Sequence, residues 1–553
     1  MLTIKAGRPD EHVPVLIVGG GYAGLASSLF LSHHGVHCLL VDRHASVPLQ
    51  GRARAINPRT MEIYRAFGVA PAVYEAGKPF ENDAGVVRCE TLVGEWHWLH
   101  EQDGSRSWPD LSAEQFNLAD QSAVEPVLIE AARACGADQW FNTQMMSFEP
   151  DSDGVSVVIE HRKTGQRRTV RADYLIAADG QRSAIREQLG ITRTGPGVVR
   201  SFVVIVFRAD LSELMSRRAI LWFIVSPTVG VTVLVPTAEP GRWGIGVQYD
   251  PAQKSPADFT ADRCVAVIHA ALGESGIPIK IEDITSWEQG VAVADRFRSG
   301  CVFLVGDSAH VWSPTGGIGA NTGVQDAHNL AWKLAAVIGG WAAPSLLDSY
   351  EAERWPIATE LARLTEQRQA RRTGSNPKDD RADDLLWTLG QRYWSDAIIG
   401  ADHDTVFGDE LDLRAQEGTR APHLWLGHNG ARIASHDLFH DAFVLLTGSA
   451  GASWCDAAIR IANRSPLPLR AYRVGPAAEQ VDLVDLDEQW LARYGVATGG
   501  AVLIRPDGYV AWRAPQPADH PETALTGVLH QILFGEDPRG IRPGTGLGRS
   551  GGP

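Results

Sequence analysis

The sequence predicts an α/β chain of two or three domains, and three observations carry that reading. A strand of buried type turns through Gly19, Gly21 and Gly24 into helical spacing, a block of short β-rich runs lies between 201 and 249, and a separate α/β unit follows a polar stretch. At 553 residues the chain exceeds what one hydrophobic core supports. Apolar residues make up 44% and charged residues 21%, the profile of a globular chain rather than a disordered one. A formal net charge of −15 argues against sequence-independent nucleic-acid binding, which needs a basic surface to displace counterions. Cys38, Cys89, Cys135, Cys264, Cys301 and Cys455 nowhere stand at CxxC spacing, so neither a metal site nor a dithiol pair is expected. Scattered thiols fit a reducing cytoplasm. The N-terminal lead has no basic region followed by an apolar stretch, so no secretory signal is expected. The apolar stretches carry charges such as Lys333 and fall short of the roughly 20 residues of a membrane span.

The first element is Val15-Leu-Ile-Val-Gly-Gly-Gly-Tyr-Ala-Gly-Leu25, a strand running into GxGxxG. The first glycine, Gly19, permits the tight turn, and Gly21 lets backbone N–H groups approach a pyrophosphate. Gly24 lets helix and strand pack closely, with the helix N-terminus facing the negative charge. A second strand from Val36 ends at Asp42, where the ribose-binding acid is expected about 20 residues on. A lone GxGxxG is weak evidence, because glycines also mark ordinary turns; the whole strand–turn–helix–strand–acid unit is much stronger. On these residues alone the ligand is NAD or FAD.

The β-rich block contains Phe202-Val-Val-Ile-Val-Phe207, Ile220-Leu-Trp-Phe-Ile-Val225, Val229 to Val235 and Trp243 to Val247, enough strands for a separate inserted sheet. The stretch Glu366 to Arg381 has the composition of a connector, although its first half suits an extension of the preceding helix. Beyond it, Phe443-Val-Leu-Leu446 reads as strand and Cys455 to Asn463 as helix. Gly500 to Trp512 reads as a hairpin turning at Pro506-Asp507-Gly508. The Gly-, Pro- and Arg-rich tail suits disorder.

Two further segments choose between the cofactors. Tyr174-Leu-Ile-Ala-Ala-Asp-Gly-Gln-Arg-Ser-Ala-Ile-Arg186 is a strand ending in Asp179-Gly180. Cys301-Val-Phe-Leu-Val-Gly-Asp-Ser-Ala-His310 is a strand ending in Gly306-Asp307, followed by Pro314-Thr-Gly-Gly-Ile-Gly-Ala-Asn-Thr-Gly-Val-Gln-Asp326 and a helix expected from near Asn321. In order and type, these three motifs resemble the fingerprints of the class A FAD-dependent aromatic hydroxylases, the group of p-hydroxybenzoate hydroxylase and phenol hydroxylase. The resemblance covers roughly Val13 to Pro356. Arg52-Ala-Arg-Ala-Ile-Asn-Pro-Arg-Thr-Met-Glu62 is similar to the corresponding stretch of polyketide and phenolic hydroxylases. Gly418 to Trp425 and Arg505 to Arg513 resemble the thioredoxin-like domain that many of them carry.

The resemblance implies a Rossmann-type FAD-binding domain (1–85, 110–190 and 285–365) with an inserted β-sheet substrate domain (86–109 and 191–284). A connector (366–385), a C-terminal thioredoxin-like α/β domain (386–535) and a disordered tail (536–553) complete the expected order. It assigns FAD to Gly19, Gly21, Gly24, Asp42, Arg43, Arg52, Gln121, Asp179, Asp307, Pro314, Gly319, Ala320 and Asn321. Asp307 would accept a hydrogen bond from a ribityl or ribose hydroxyl, and Asp179 would bridge FAD and an NAD(P)H groove. As plain structure, Asp307 would cap the next turn, Asp179 would N-cap the helix through Arg186, and Gln121 would be a surface amide. Arg54, Pro314 and Gly317 are the candidates at the reacting centre. Trp222 and Phe223 of the inserted sheet are candidates to line the substrate pocket, with plain core packing as the alternative. His310, at a strand end, suits a structural role, and the resemblance assigns it no chemistry.

The implied reaction uses NADPH or NADH and O₂. Reduced FAD adds O₂ at C4a, and the hydroperoxide transfers one oxygen to an electron-rich ring, which for this subgroup is a polycyclic polyketide. A simple phenol or chlorophenol is the near alternative, and a flavin fold that only binds a ligand is the distant one. A flavin halogenase is disfavoured, since no WxWxIP segment occurs. Neither a nucleic-acid nor a membrane partner is expected, and a homodimer is the candidate assembly. One departure stands out. Phenol hydroxylases carry an aspartate base two positions after the arginine matching Arg52, and here that position is Arg54. A cation cannot deprotonate a phenol, but it lowers the pKa of a bound one or holds an acidic substrate, unless it points to solvent. In the C-terminal unit Trp454-Cys455 replaces CxxC, and a lone cysteine cannot cycle as a dithiol.

Overall fold

The computed structural model describes residues 11–46, 53–81, 85–100, 108–215, 219–314, 316–373, 381–402, 405–412 and 414–535. Arg52 and the tail from 536 lie outside them. The chain divides into two compact units. One comprises the described residues up to Ala331 with Ile357–Thr388, and the other comprises Trp332–Pro356 with the described residues from Leu389.

In the first unit the strand Glu11–Val18 sits centrally in an 8-stranded sheet. It pairs in parallel with Arg167–Ala177 on one side and Cys38–Val41 on the other. Asp138–Trp140 and Val302–Leu304 extend the parallel order outward. Such strands are covered on both faces, which is why Val15, Leu16, Ile17, Leu39 and Leu40 are fully buried and read as apolar runs rather than alternating ones. The arrangement is the Rossmann-type order expected from the glycine turn.

A second 8-stranded sheet is antiparallel around Arg193–Arg208, Arg242–Tyr249, Gly230–Pro236 and Leu221–Ser226. Val86–Cys89 and Trp96–His100 lie at one edge, and Lys280–Ala294 and His310–Val311 at the other. One face packs on the helix Ala261–Leu272 through Trp222, Ile224, Leu234, Ile245, Cys264 and Ile268. Direct partners across antiparallel strands share a face. Phe223 therefore stands with Val233, Gly246 and Val204 on the opposite face, one residue out of step with Trp222. This corrects the expectation that Trp222 and Phe223 line one pocket: successive strand residues point to opposite sides, and Trp222 is core.

The second unit holds a 7-stranded sheet in which Phe443–Gly448 and Leu469–Gly475 are parallel and joined by the helix Ala452–Ala462. Ala501–Ile504 and Val510–Ala514 then form an antiparallel hairpin, and the helix Pro521–Phe534 follows. This is the βαβ-plus-hairpin order of a thioredoxin-like fold. Trp332–Pro356, continuous with the first unit along the helices Ile318–Ile338 and Asp348–Thr373, packs with it. The latter helix runs well into the polar stretch read as a connector. No helix among the described residues is long and apolar enough to cross a membrane.

Candidate active site

The glycine turn is built as its residue types require. Gly19 has φ +113°, and a methyl group there would overlap Ala178 O; one on Gly24 would overlap Gly19 O. Gly21 has nothing within 4 Å of the position a Cβ would take, so the backbone faces open space where a pyrophosphate would sit. Asp42 is braced before any ligand arrives. Its Oδ2 accepts from Gly20 N at 2.7 Å, and its Oδ1 accepts from His44 N at 2.7 Å. His44 Nδ1 also lies 3.0 Å from Oδ1, so Oδ2 is the oxygen that keeps a lone pair for a hydroxyl. Arg43 is exposed, and its carbonyl accepts from Arg162 Nη1 at 3.0 Å.

Asp179 and Asp307 follow the ends of adjacent parallel strands, the crevice where open α/β sheets bind ligands. Asp179 Oδ2 accepts from Ile185 N at 3.2 Å, whereas its Oδ1 is buried with no hydrogen-bond partner. Burial pushes this carboxyl above the ordinary carboxylate value, against the lowering hydrogen bonds of Ser183 and Ile185 N. The N-cap proper is Ser183, which accepts from Arg186 N at 3.0 Å. Buried Arg186 donates to Gln181 O at 3.2 Å and Ser308 O at 3.0 Å, tying the two motifs together. Asp307 is exposed between buried Gly306 and Ser308. His310 Nε2 lies 2.6 Å from Asp326 Oδ2, which also accepts from Gly306 N at 3.1 Å, and its ring stacks on Trp312 at 4.5 Å. It is a brace under the third motif.

After exposed Pro314, the loop turns through Gly316 (φ +92°) and Gly317 (φ +66°), conformations that L side chains avoid. A Cβ on Gly317 would lie 2.5 Å from Ala55 Cβ. The helix begins at Ile318, not near Asn321 as the sequence suggested. Gly319, Ala320 and Asn321 are therefore its first turn, the part whose N–H groups lack intrahelical partners. The Asn321 side chain is occupied elsewhere: Nδ2 donates to Ala55 O at 2.9 Å and Gly317 O at 2.6 Å, and Oδ1 accepts from Asn57 N at 3.0 Å.

Gln121 begins the helix Gln121–Ala134, and its Nε2 donates to Glu125 Oε1 at 2.5 Å. A carboxylate only accepts, so the Gln121 carbonyl oxygen is the end left to receive a hydroxyl. Arg54 does not point to solvent: Nε donates to Asp120 Oδ1 at 2.9 Å, Nη1 to Ile220 O at 3.3 Å, and Nη2 to Pro236 O. Sequence reading missed Asp120, Glu125 and Arg368. Only Glu125 left a signal, the i, i+4 spacing to Gln121. Arg368 sits in the polar stretch yet is fully buried, with Nη1 2.5 Å from Asp384 Oδ1 and its guanidinium 3.7 Å from the Trp387 ring centroid. A Cβ on Gly316 would lie 2.7 Å from Arg368 Nη1, so this arginine backs the glycine loop.

These features fit FAD: an open seat at Gly21, an orphaned buried oxygen on Asp179, and a helix start behind a glycine loop. The comparisons agree. The family described as FAD binding domain matches residues 12–365, and that described as aromatic-ring hydroxylase, C-terminal, matches 414–536. The tetracenomycin B2 monooxygenase-dioxygenase of Streptomyces olivaceus is 41% identical over 543 residues, covering 94% of this chain and 99% of the relative. A 4-methyl-5-nitrocatechol 5-monooxygenase of Burkholderia is 37% identical over 541 residues, covering 95% and 98%. The crystal structure of aklavinone-11 hydroxylase with FAD and aklavinone superposes with a TM-score of 0.85 at 34% identity, over 95% of this chain and 99% of that one. The chain belongs to the FAD-dependent aromatic-ring hydroxylases, and it is a flavin monooxygenase.

Burial pushes the Cys455 thiol up to about 11, the wrong direction for a nucleophilic or redox-active cysteine. Cys455→Ser is expected to keep substrate-dependent NAD(P)H oxidation at the wild-type rate. A large loss of turnover at normal FAD content would restore a redox role to this domain.

Proposed function

We propose that this protein hydroxylates a phenolic ring of a polycyclic aromatic polyketide, using NADPH or NADH and O₂, in the reducing cytoplasm. The observation that carries the reading is the free face of the antiparallel sheet. There Gly246 stands between Val204 and Val233, with Phe223 beyond Val233, and Gly244 stands between Val206 and Val235, so the middle strand adds no side chain at either position. An apolar sheet face relieved by two glycines suits a fused ring system better than a single ring, because the buried area grows with each added ring. The similar proteins named for tetracenomycin B2 and aklavinone support it, whereas the one named for 4-methyl-5-nitrocatechol favours a single ring.

FAD, when bound, takes electrons from NAD(P)H and activates O₂ toward an electron-rich ring. The chain's own residues do the rest. Backbone at Gly21 and the first turn of the helix from Tyr22 hold the pyrophosphate, and Asp42, Asp307 and the Gln121 carbonyl accept from hydroxyls. Asp179 Oδ1 takes a proton donor at the NAD(P)H side of the seat. The Pro314 and Gly317 backbone lets a flat ring approach, and the N–H groups of Gly319, Ala320 and Asn321 stabilise negative charge developing beside them. The Phe223 face orients the substrate ring and excludes water.

Purified protein should carry FAD and consume NAD(P)H faster with polycyclic phenols than with monocyclic ones, forming a product heavier by one oxygen. Asp307→Ala should lose most of the FAD while retaining its thermal transition. Stimulation by monocyclic phenols alone would overturn the substrate class, and unchanged flavin content in Asp307→Ala would overturn the role of the third motif.

A further inference from the structure

In place of a direct charge effect on the substrate, we propose that Arg54 and Asp120 form a charge-neutral clamp that holds the strand ends of the substrate sheet at a set distance from the flavin loop, so that oxygen reaches the ring instead of escaping as peroxide. The proposal rests on the hydroxylase reading above. The Arg54 side chain is 13% exposed and that of Asp120 4%, and the pair spans Nε–Oδ1 at 2.9 Å. Arg54 also donates to Ile220 O and Pro236 O, at the ends of the strands Leu221–Ser226 and Gly230–Pro236. The other oxygen of Asp120 accepts from Ala238 N at 2.9 Å. The guanidinium lies 4.4 Å from the Phe80 ring centroid, which closes its remaining face.

The backbone of the same segment is tied the other way. Gln121 N donates to Ala53 O at 3.0 Å and Ala119 N to Arg54 O at 3.0 Å, fixing the start of the helix that carries Gln121. Asn321 Nδ2 donates to Ala55 O at 2.9 Å, and Gly317 abuts Ala55. The residues 53–57 thus face the flavin loop through their backbone, and the substrate sheet through one arginine. A planar guanidinium forking onto a carboxylate and two carbonyls is a rigid spacer, which lysine's point charge is not. Opposite charges in contact largely cancel at a distance, so the pair does little to a substrate's pKa. Position is what it sets, and misplacement of a reacting centre by about an ångström can lose on the order of a hundredfold in rate.

Two balanced outcomes compete for each hydride. Substrate, O₂, NAD(P)H and a proton give hydroxylated product, NAD(P)⁺ and water; without transfer, O₂, NAD(P)H and a proton give H₂O₂ and NAD(P)⁺. The test measures product and H₂O₂ per NAD(P)H, FAD content and the pH–rate profile in holoenzyme carrying Arg54→Gln, Asp120→Asn or both. Each single variant leaves a buried charge uncompensated and should lower product per NAD(P)H about tenfold, with FAD retained and H₂O₂ rising to match. The double variant can rebuild the seam with two neutral amides. The shorter amide, in place of the Asp120 carboxylate, accepts from Ala238 N and donates to the longer one, which in place of the guanidinium donates to Pro236 O. Coupling should return to within about threefold of wild type. The Arg54→Gln pH profile should overlay the wild type. An upward-shifted profile in Arg54→Gln with no recovery in the double variant would overturn the clamp in favour of a direct charge effect on the substrate, and unchanged coupling in the singles would overturn it outright. Amide exchange at Ala238 reads the clamp without turnover: it should speed up in Asp120→Ala, and unaltered protection there sinks the proposal. If wild-type enzyme hydroxylates no phenol while that exchange does speed up, the functional reading fails, and the Arg54–Asp120 pair is left as a structural spacer with no role in coupling.

Discussion

Glu353→Ala is expected to lower the thermal transition of the C-terminal unit by on the order of 10 °C, the size of a loss of about 3–5 kcal/mol in a unit of this length. Glu353 is fully buried, with Lys333 Nζ at 2.8 Å and Arg505 Nη1 and Nη2 at 2.6 and 2.9 Å, and Ser395 Oγ donating at 2.7 Å. Arg505 in turn contacts Asp507 with Nε at 3.0 Å. Truncating the central carboxylate leaves Lys333 and Arg505 with Asp507 as their one remaining carboxylate, a buried positive charge uncompensated, which costs more than the net worth of the network. Burial works to raise the Glu353 carboxyl, but the Arg505 and Lys333 charges outweigh it and hold it well below the usual carboxylate range. Burial likewise pushes the Lys333 ammonium down to about 8. A carboxyl with a depressed folded-state pKa adds stability that is fully present above its unfolded value near 4.3 and is lost progressively as pH falls from there through the depressed one. The wild-type unit should therefore keep this network into strongly acid solution. Calorimetry or near-UV circular dichroism checks the variant; a transition within about 2 °C of wild type would show that the network is incidental.

Two glycines of the first motif should separate folding from cofactor binding. Gly24→Ala would drive a methyl group onto Gly19 O, a backbone atom that cannot give way without moving the strand it follows. Loss of nearly all FAD and a lower thermal transition are expected together. Gly21→Ala meets open space within 4 Å, so the apoprotein should fold as wild type does while FAD affinity drops, because the added methyl occupies the pyrophosphate seat. Titration of apoprotein with FAD, followed by flavin fluorescence quenching, measures both. Equal FAD affinity in Gly21→Ala and wild type would mean that the pyrophosphate lies elsewhere.

The parts of the site legible in the sequence are those governed by local backbone geometry. A glycine that must turn, a strand of buried apolar residues, an acid at a strand end and a hairpin at Pro506-Asp507-Gly508 each leave their mark within a few residues. The Rossmann-type sheet, the inserted sheet and, in the C-terminal unit, the strand from Phe443, the helix after it and the hairpin were expected on that basis, whereas the parallel strand Leu469–Gly475 was not read. Helix starts were less legible. The loop 314–320 is rich in glycine, which reads as coil, yet Ile318 already begins the helix.

Tertiary structure decided what depends on partners far along the chain. Arg54 looked like a lone cation facing a substrate, and its meaning changed once Asp120, Ile220 and Pro236 were seen around it. Arg368, in a stretch with the composition of a connector, is fully buried against Trp387. Trp222 and Phe223 share one strand and one apolar character, and only strand register with Leu234 and Val233 assigns the first to the core and the second to the free face. Glycines and strand patterns are legible because backbone sterics act between neighbours. A buried charge or a sheet face is not, because its energy is set by whatever the folded chain brings within a few ångströms of it.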